Sequence, residues 1–120
     1  MRPPVLLGTV LTLGCILTKP LPLAQPVPVW VHSHNRSTVD VYLNCDGRTN
    51  WLGAVEQHGS DALEVPVAQT SCVRGLNFFL LVRRGGRGYW TGPVQPIAKA
   101  HVELVIRRYA GLSTAQMIRD

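Results

Sequence analysis

Charge and helical patterning are both scarce in this chain of 120 residues. Only 16% of the residues are charged while 46% are hydrophobic, and that balance favours a packed domain over a disordered one. No segment before residue 111 shows the apolar spacing of an amphipathic helix. We therefore expect one β-rich domain with a single modest core.

Recognisable catalytic motifs are also missing. The sequence has no G-x-S-x-G elbow, and no glycine-rich loop leads into a helix, as a phosphate-cradling site requires. We predict no enzymatic activity, no catalytic residue and no cofactor. The segment Arg83–Gly88 resembles an arginine-glycine RNA-binding fragment, but a glycine-rich hairpin turn explains it better. No nucleic acid partner is predicted, and acidic lipids or glycans suit this turn better.

The first 24 residues have the pattern of an export signal. A basic start at Arg2 precedes an apolar stretch, Val5 to Leu17, that is shorter than a bilayer span. Prolines then begin a linker. Residues 1–24 are predicted to be the signal and the start of this linker.

Two processing sites remain open. Leu11-Thr12-Leu13-Gly14-Cys15 resembles a bacterial lipobox, in which the cysteine becomes the lipidated N-terminus, although Thr12 departs from that motif. The alternative is ordinary cleavage near Ala24, with Cys15 only part of the apolar stretch. Either site predicts export to the periplasm or outer envelope, and the first adds a membrane tether through Cys15.

Apolar residues recur with a period of two from Val27 onward, as they do in half-buried strands. Seven short strands with turn residues between them predict an antiparallel β-sandwich of the immunoglobulin-like kind over residues 25–110. Leu76 to Val82 is almost continuously apolar and predicts a central strand. Residues 111–120 are expected to form a short C-terminal helix or tail with Ser113 as a cap.

Several of these segments resemble a loose class of small exported bacterial domains with an immunoglobulin-like sandwich. The resemblance lies in Asn35-Arg36-Ser37, Val39-Asp40-Val41-Tyr42-Leu43, Leu52-Gly53-Ala54-Val55 and the strand from Val102 to Ile106. It covers about 80 residues and implies a fold without an established activity. No functional residue is carried over from it.

Two cysteines, Cys45 and Cys72, remain in the predicted domain. Paired cysteines in a small exported domain commonly form a disulfide, and we predict that these two do so. The alternative is that they are separate buried thiols.

Histidine and aromatic residues supply the candidate ligand sites. His32 and His34 form an H-x-H pair that places both imidazoles on one face of a strand, as some metal sites require. Trp30 and Tyr42 fall in the outward phase of consecutive strands, so a hairpin would place them side by side, with Trp51 as a third member. Exposed aromatic patches of this kind bind sugars or proteins. The alternative is that these rings are covered by the linker or the tail.

Together these features predict a non-catalytic structural or protein-interaction module of the bacterial envelope. Its partner would be an unidentified envelope protein or a glycan. A glycan or small-ligand binding domain that uses the exposed aromatics is the first alternative. A metal-binding protein that uses His32 and His34 is the second.

Overall fold

The computed structural model describes residues 25–120, which form a two-sheet β-sandwich. The strands are β1 (Val27–Ser33), β2 (Val39–Cys45), β3 (Arg48–Val55), β4 (Ser60–Val65), β5 (Leu76–Val82), β6 (Gly88–Val94), β7 (Ala100–Ile106) and β8 (Thr114–Arg119). The predicted signal and Cys15 lie outside the described residues. Within residues 25–120, no helix is long and apolar enough to cross a membrane.

Each sheet has four strands. Sheet A has the order β4-β1-β7-β8, and sheet B has the order β3-β2-β5-β6. Neighbouring strands are antiparallel except for β1 and β7, which pair in parallel between Val29–Ser33 and Val102–Ile106. The predicted sandwich is confirmed, and β5 is a central strand as expected. The resemblance to exported immunoglobulin-like domains stays a prediction.

The core follows directly from the alternation in the sequence. Inward residues of the central strands are fully buried, and Phe78 on β5 is the largest of them. Burying a side chain of the size of valine or leucine contributes about 1.5–3 kcal/mol. The core members are Val27, Val29, Val31, Val39, Val41, Leu43, Val55, Val65, Cys72, Leu76, Phe78, Leu80, Val102, Leu104 and Ile106.

The expected C-terminal helix or tail is wrong. Ala110–Leu112 form one turn of 3₁₀ helix, and the residues after it form β8, which pairs with β7. Ala115 and Met117 pack against the core, whereas Gln116 between them is exposed. Alanine and methionine have high helix propensity, but the hydrogen bonds offered by β7 outweigh that preference. The sandwich therefore continues to Arg119 instead of ending at residue 110.

The connections between strands gather at the two ends of the sandwich. We call one end the disulfide end; its connections are residues 46–47, 66–75 and 95–99. There Cys45 and Cys72 form the predicted disulfide, with their Cα atoms 5.2 Å apart. Such a bond is typical of proteins that fold in a non-reducing compartment. The opposite end, which we call the arginine end, carries residues 34–38, 56–59, 83–87 and 107–113.

Candidate functional site

Four aromatic side chains form a line across the outer face of sheet B, one from each strand. Trp51 on β3 pairs with Tyr42 on β2, Tyr42 pairs with Phe79 on β5, and Phe79 pairs with Trp90 on β6. We call these four residues the aromatic row. Because neighbouring strands lie roughly 4.8 Å apart, the row extends about 14 Å across the sheet.

An irregularity in β3 places Trp51 in the row. The pairing register shifts between Val41, which lies opposite Gly53, and Tyr42, which lies opposite Trp51, so Leu52 is the extra residue of a bulge. The bulge lets Leu52 pack against the core while Trp51 lies opposite Tyr42 on the outer face. Gly53 suits this position because a Cβ atom there would lie 2.6 Å from a methyl carbon of Leu63 on sheet A.

The other half of the row depends on Gly88. A side chain at Gly88 would overlap the ring of Phe79, so the glycine provides the space that this ring occupies. The Phe79 and Trp90 rings then lie with their centroids 4.7 Å apart, and those of Phe79 and Tyr42 lie 6.3 Å apart. Trp51 is 58% exposed and Trp90 is 52% exposed, while the two inner rings are half-buried. The row is thus an accessible aromatic surface with a supported centre.

An ion pair borders the row on the side of the arginine end. Arg83 donates two hydrogen bonds to Asp40, from Nε to Oδ2 at 2.8 Å and from Nη2 to Oδ1 at 2.9 Å. Trp51 Nε1 also donates to Asp40 Oδ1, at 3.1 Å, which fixes the indole ring. The hydrogen bond from Arg83 lowers the pKa of Asp40, burial opposes this effect, and the bond from Trp51 adds to it. Asp40 therefore holds an exposed tryptophan and a guanidinium group in place together.

Polar side chains border the row on the side of the disulfide end. Asn44 lies opposite Thr49 on β3 and opposite Asn77 on β5, and its Nδ2 donates to Thr49 Oγ1 at 3.2 Å. Asn77 Oδ1 is buried and accepts no hydrogen bond within the described part of the chain. Asn44 and Thr49 on this side, and the exposed guanidinium group of Arg83 on the other, therefore flank the row with groups that can hydrogen-bond a ligand.

Trp30 lies on the other sheet, so the hairpin that would have placed it beside Tyr42 is wrong. The connection 34–38 crosses from sheet A to sheet B instead of joining two neighbouring strands. Trp30 stacks on the His101 ring of β7, with centroids 4.0 Å apart and planes at 23°. Of the three predicted surface residues, the structure brings Tyr42 and Trp51 together and separates Trp30 from them.

His101 is buried between two carboxylates. Its Nδ1 lies 2.6 Å from Asp120 Oδ1 and its Nε2 lies 3.3 Å from Glu103 Oε2. The bond with Asp120 raises the pKa of His101, burial opposes this rise, and the bond with Glu103 supports it. The cluster joins β7 to Asp120, which follows β8, and Trp30 covers the imidazole.

His32 and His34 are exposed at the end of β1. His32 Nδ1 lies 3.1 Å from Ser60 Oγ on the neighbouring β4, and the backbone N–H of His34 donates to the carbonyl of Ile106 at 2.7 Å. In residues 25–120, no group of three or more His, Cys, Asp or Glu side chains is placed to hold a metal ion. Among residues 25–120, His32 and His34 therefore have no third metal ligand beside them.

Two members of the row, Phe79 and Trp90, were missed from the sequence. Phe79 lies in a nearly continuous apolar segment, where alternation does not show which side chains face outward. A signal was present nonetheless. Because Phe78 and Phe79 are adjacent on one strand, one of them must face away from the core.

Comparison with known proteins adds little to this geometry. No protein-family model matches the chain, and no curated protein matches it. Among solved structures it is similar to a protein from Eubacterium rectale whose structure was determined by NMR. The two share 11% sequence identity with a TM-score of 0.49, over 81% of this chain and 92% of that chain.

Proposed function

We propose that this chain is an exported, non-catalytic β-sandwich domain that binds glycans through the aromatic row. The observation that carries the proposal is the alignment of Trp51, Tyr42, Phe79 and Trp90 across sheet B, with both outer rings more than half exposed. Aromatic rings stack against the C–H faces of sugar rings, and a row of rings presents several such contacts along one direction.

The polar borders of the row support a sugar ligand over a purely apolar one. Sugar hydroxyls need hydrogen-bond partners on either side of the stacking surface, and Asn44, Thr49 and the exposed guanidinium group of Arg83 provide acceptors and donors there. Export is supported by the Cys45–Cys72 disulfide and by the signal pattern of residues 1–24.

Matched tryptophan substitutions test this function. Trp51→Ala and Trp90→Ala change the row, whereas Trp30→Ala makes the same change on the other sheet. Each row variant should weaken binding to a responding glycan roughly fivefold to tenfold, because one aromatic contact contributes about 1–1.5 kcal/mol. Affinities would be measured by calorimetry and tryptophan fluorescence on a panel of neutral and acidic envelope polysaccharides.

Trp30→Ala is the control variant, and two results would contradict the proposal. Trp30→Ala should leave glycan affinity unchanged, and thermal unfolding of all three variants verifies that they are folded. The proposal fails if no polysaccharide in the panel binds, or if Trp30→Ala weakens binding as much as the row variants do.

A structural or protein-interaction module remains the second candidate, because exposed tryptophans are also enriched at protein interfaces. The same row would then bind a protein of the envelope. Binding to envelope fragments that survives proteinase treatment and is lost after glycosidase treatment supports the glycan. The reverse result supports the protein partner.

A further inference from the structure

Basic residues are concentrated at the arginine end. Six of the ten Lys and Arg residues between positions 25 and 120 lie in or beside its connections: Arg36, Arg83, Arg84, Arg87, Arg107 and Arg108. Arg83 is paired with Asp40, and it is the only arginine of the described chain in a salt bridge with a carboxylate. The remaining five guanidinium groups at this end therefore lack an acidic partner among residues 25–120.

Four of these arginines line one cleft of about 580 Å³. Arg36 comes from the connection between β1 and β2, Arg84 and Arg87 come from the β5–β6 hairpin, and Arg108 follows β7. Tyr89 and Tyr109 also line the cleft, and no acidic residue does so. The cleft thus combines several positive charges with aromatic walls.

Hydrogen bonds hold the connections around this cleft in place. The Nδ2 group of the buried Asn35 donates to the backbone carbonyls of Arg107 and Arg108, each at 3.1 Å, and its Oδ1 accepts from Ser37 N at 3.0 Å. Ser37 Oγ in turn accepts from Arg84 N at 3.0 Å. Three separate segments are therefore fixed relative to one another before any ligand arrives.

Several guanidinium groups that line one cleft without an acidic partner are suited to binding an oxyanion. Guanidinium presents a planar set of N–H donors that matches carboxylate and phosphate oxygens, and these charge-assisted bonds are stronger than neutral ones. Because the arginines repel one another when the cleft is empty, an anion also relieves that repulsion. A preformed concave site favours a discrete acid group over a flat membrane surface.

We propose that this cleft binds the acid groups of an anionic polysaccharide. The preference for an acid group follows from the cleft alone, whereas the identification of its carrier as a glycan rests on the proposed function. The β5–β6 hairpin connects the two sites, because it carries Trp90 of the row as well as Arg84 and Arg87. Arg87 and Trp90 are three positions apart, which is only about 10 Å along a strand, and a few sugar units can cover this distance.

The experiment uses one polymer in two charge states. Polygalacturonate and its methyl ester share the same sugar backbone, but only the first carries free carboxylates. The full chain should bind polygalacturonate roughly tenfold more tightly than the ester at low salt, and the difference should shrink as ionic strength rises. The variant Arg84→Gln/Arg87→Gln should abolish this difference.

A second charge-matched variant is the control. Arg48→Gln/Arg74→Gln removes the same charge from exposed positions at the disulfide end and should preserve the preference for the acid form. The inference is overturned if wild-type protein binds both polymers equally, or if the two double variants lose the preference to the same extent.

The two proposals fail in distinguishable ways. If both polymers bind equally and Trp51→Ala weakens both, the glycan function stands and the anion cleft does not. If Arg84→Gln/Arg87→Gln weakens polygalacturonate binding while Trp51→Ala and Trp90→Ala do not, the anion cleft stands and the row function fails. Binding to phosphatidylglycerol vesicles without binding to polygalacturonate would assign the arginines to a lipid surface and overturn the inference.

Discussion

The two ends of the sandwich hold their connections by different means. At the disulfide end, a covalent bond joins the last residue of β2 to the long connection between β4 and β5. At the arginine end, the side chain of Asn35 joins two connections through hydrogen bonds. The second arrangement uses one buried amide and leaves the surrounding guanidinium groups exposed. The disulfide and the proposed anion-binding cleft therefore lie at opposite ends of the domain.

The largest effect is expected from removing the disulfide. Cys45→Ser/Cys72→Ser should lower the free energy of unfolding by about 3–4 kcal/mol, because the bond closes a loop between residues separated by 27 positions. Thermal and urea unfolding measure this loss. Hydrogen exchange should accelerate at residues 66–75 and change little at residues 107–113.

The intact mass of the protein, measured after alkylation with and without reduction, is the control for the disulfide prediction. Wild-type protein should gain two alkylated cysteines from Cys45 and Cys72 only after reduction, and the same spectrum reports whether the chain begins at a lipidated Cys15 or near Ala24. If the two thiols are already free without reduction, the disulfide is absent and a covalent bond does not hold the connections at that end.

A smaller effect is expected at the other end from Asn35→Ala. The change leaves the carbonyls of Arg107 and Arg108 without their donor, which should lower the free energy of unfolding by about 2 kcal/mol. Hydrogen exchange should now accelerate at residues 34–38 and 107–113. Asn35→Ala should also reduce the preference for polygalacturonate over its ester, because the segments around the cleft lose the hydrogen bonds that hold them together.

The variant Asn35→Asp sharpens this test. It keeps the oxygen that accepts from Ser37 and removes the two N–H donors, so it should resemble Asn35→Ala in exchange at residues 107–113. If either variant accelerates exchange mainly at the disulfide end, the two ends are not independent.

The smallest effect concerns His101, near the disulfide end. Its pKa is raised above the ordinary value of 6.5, mainly by Asp120, so the folded state holds its proton more tightly than the unfolded state. The resulting stabilisation is complete below about pH 6.5 and is lost as the pH rises through the higher folded-state value. The melting temperature should therefore fall modestly as the pH increases over this interval.

His101→Gln should flatten this dependence, as measured by melting temperature between about pH 5 and pH 9. A wild-type melting temperature that rises over the same interval would contradict the assigned role of Asp120.

The strands were predictable because burial imposes a period of two on residues such as Val39, Val41 and Leu43. The last strand was not, because Ala115 and Met117 favour a helix until β7 supplies a partner. Which strands share a sheet was equally inaccessible. The segment from residue 34 to residue 38 is short enough for a hairpin, yet it crosses between the sheets.

The candidate site was predictable only in part, because the sequence does not show which strands share a sheet. Tyr42 and Trp51 were identified by their outward phase, and they meet because β2 and β3 form a true hairpin. Trp30 was assigned to the wrong neighbours because its sheet was unknown. The anion cleft draws Arg36, Arg84 and Arg108 from three distant segments, so no local pattern could indicate it.

The parallel pairing of β1 with β7 also constrains how the chain folds. Sheet B is built entirely from residues 39–94, so its strand pairings need no residue outside that stretch. The centre of sheet A instead joins Val29 to Val102, so it closes only when nearly the whole domain is available. Contacts this distant in sequence slow folding. We therefore expect the centre of sheet A to form last, once β7 is available to pair with β1.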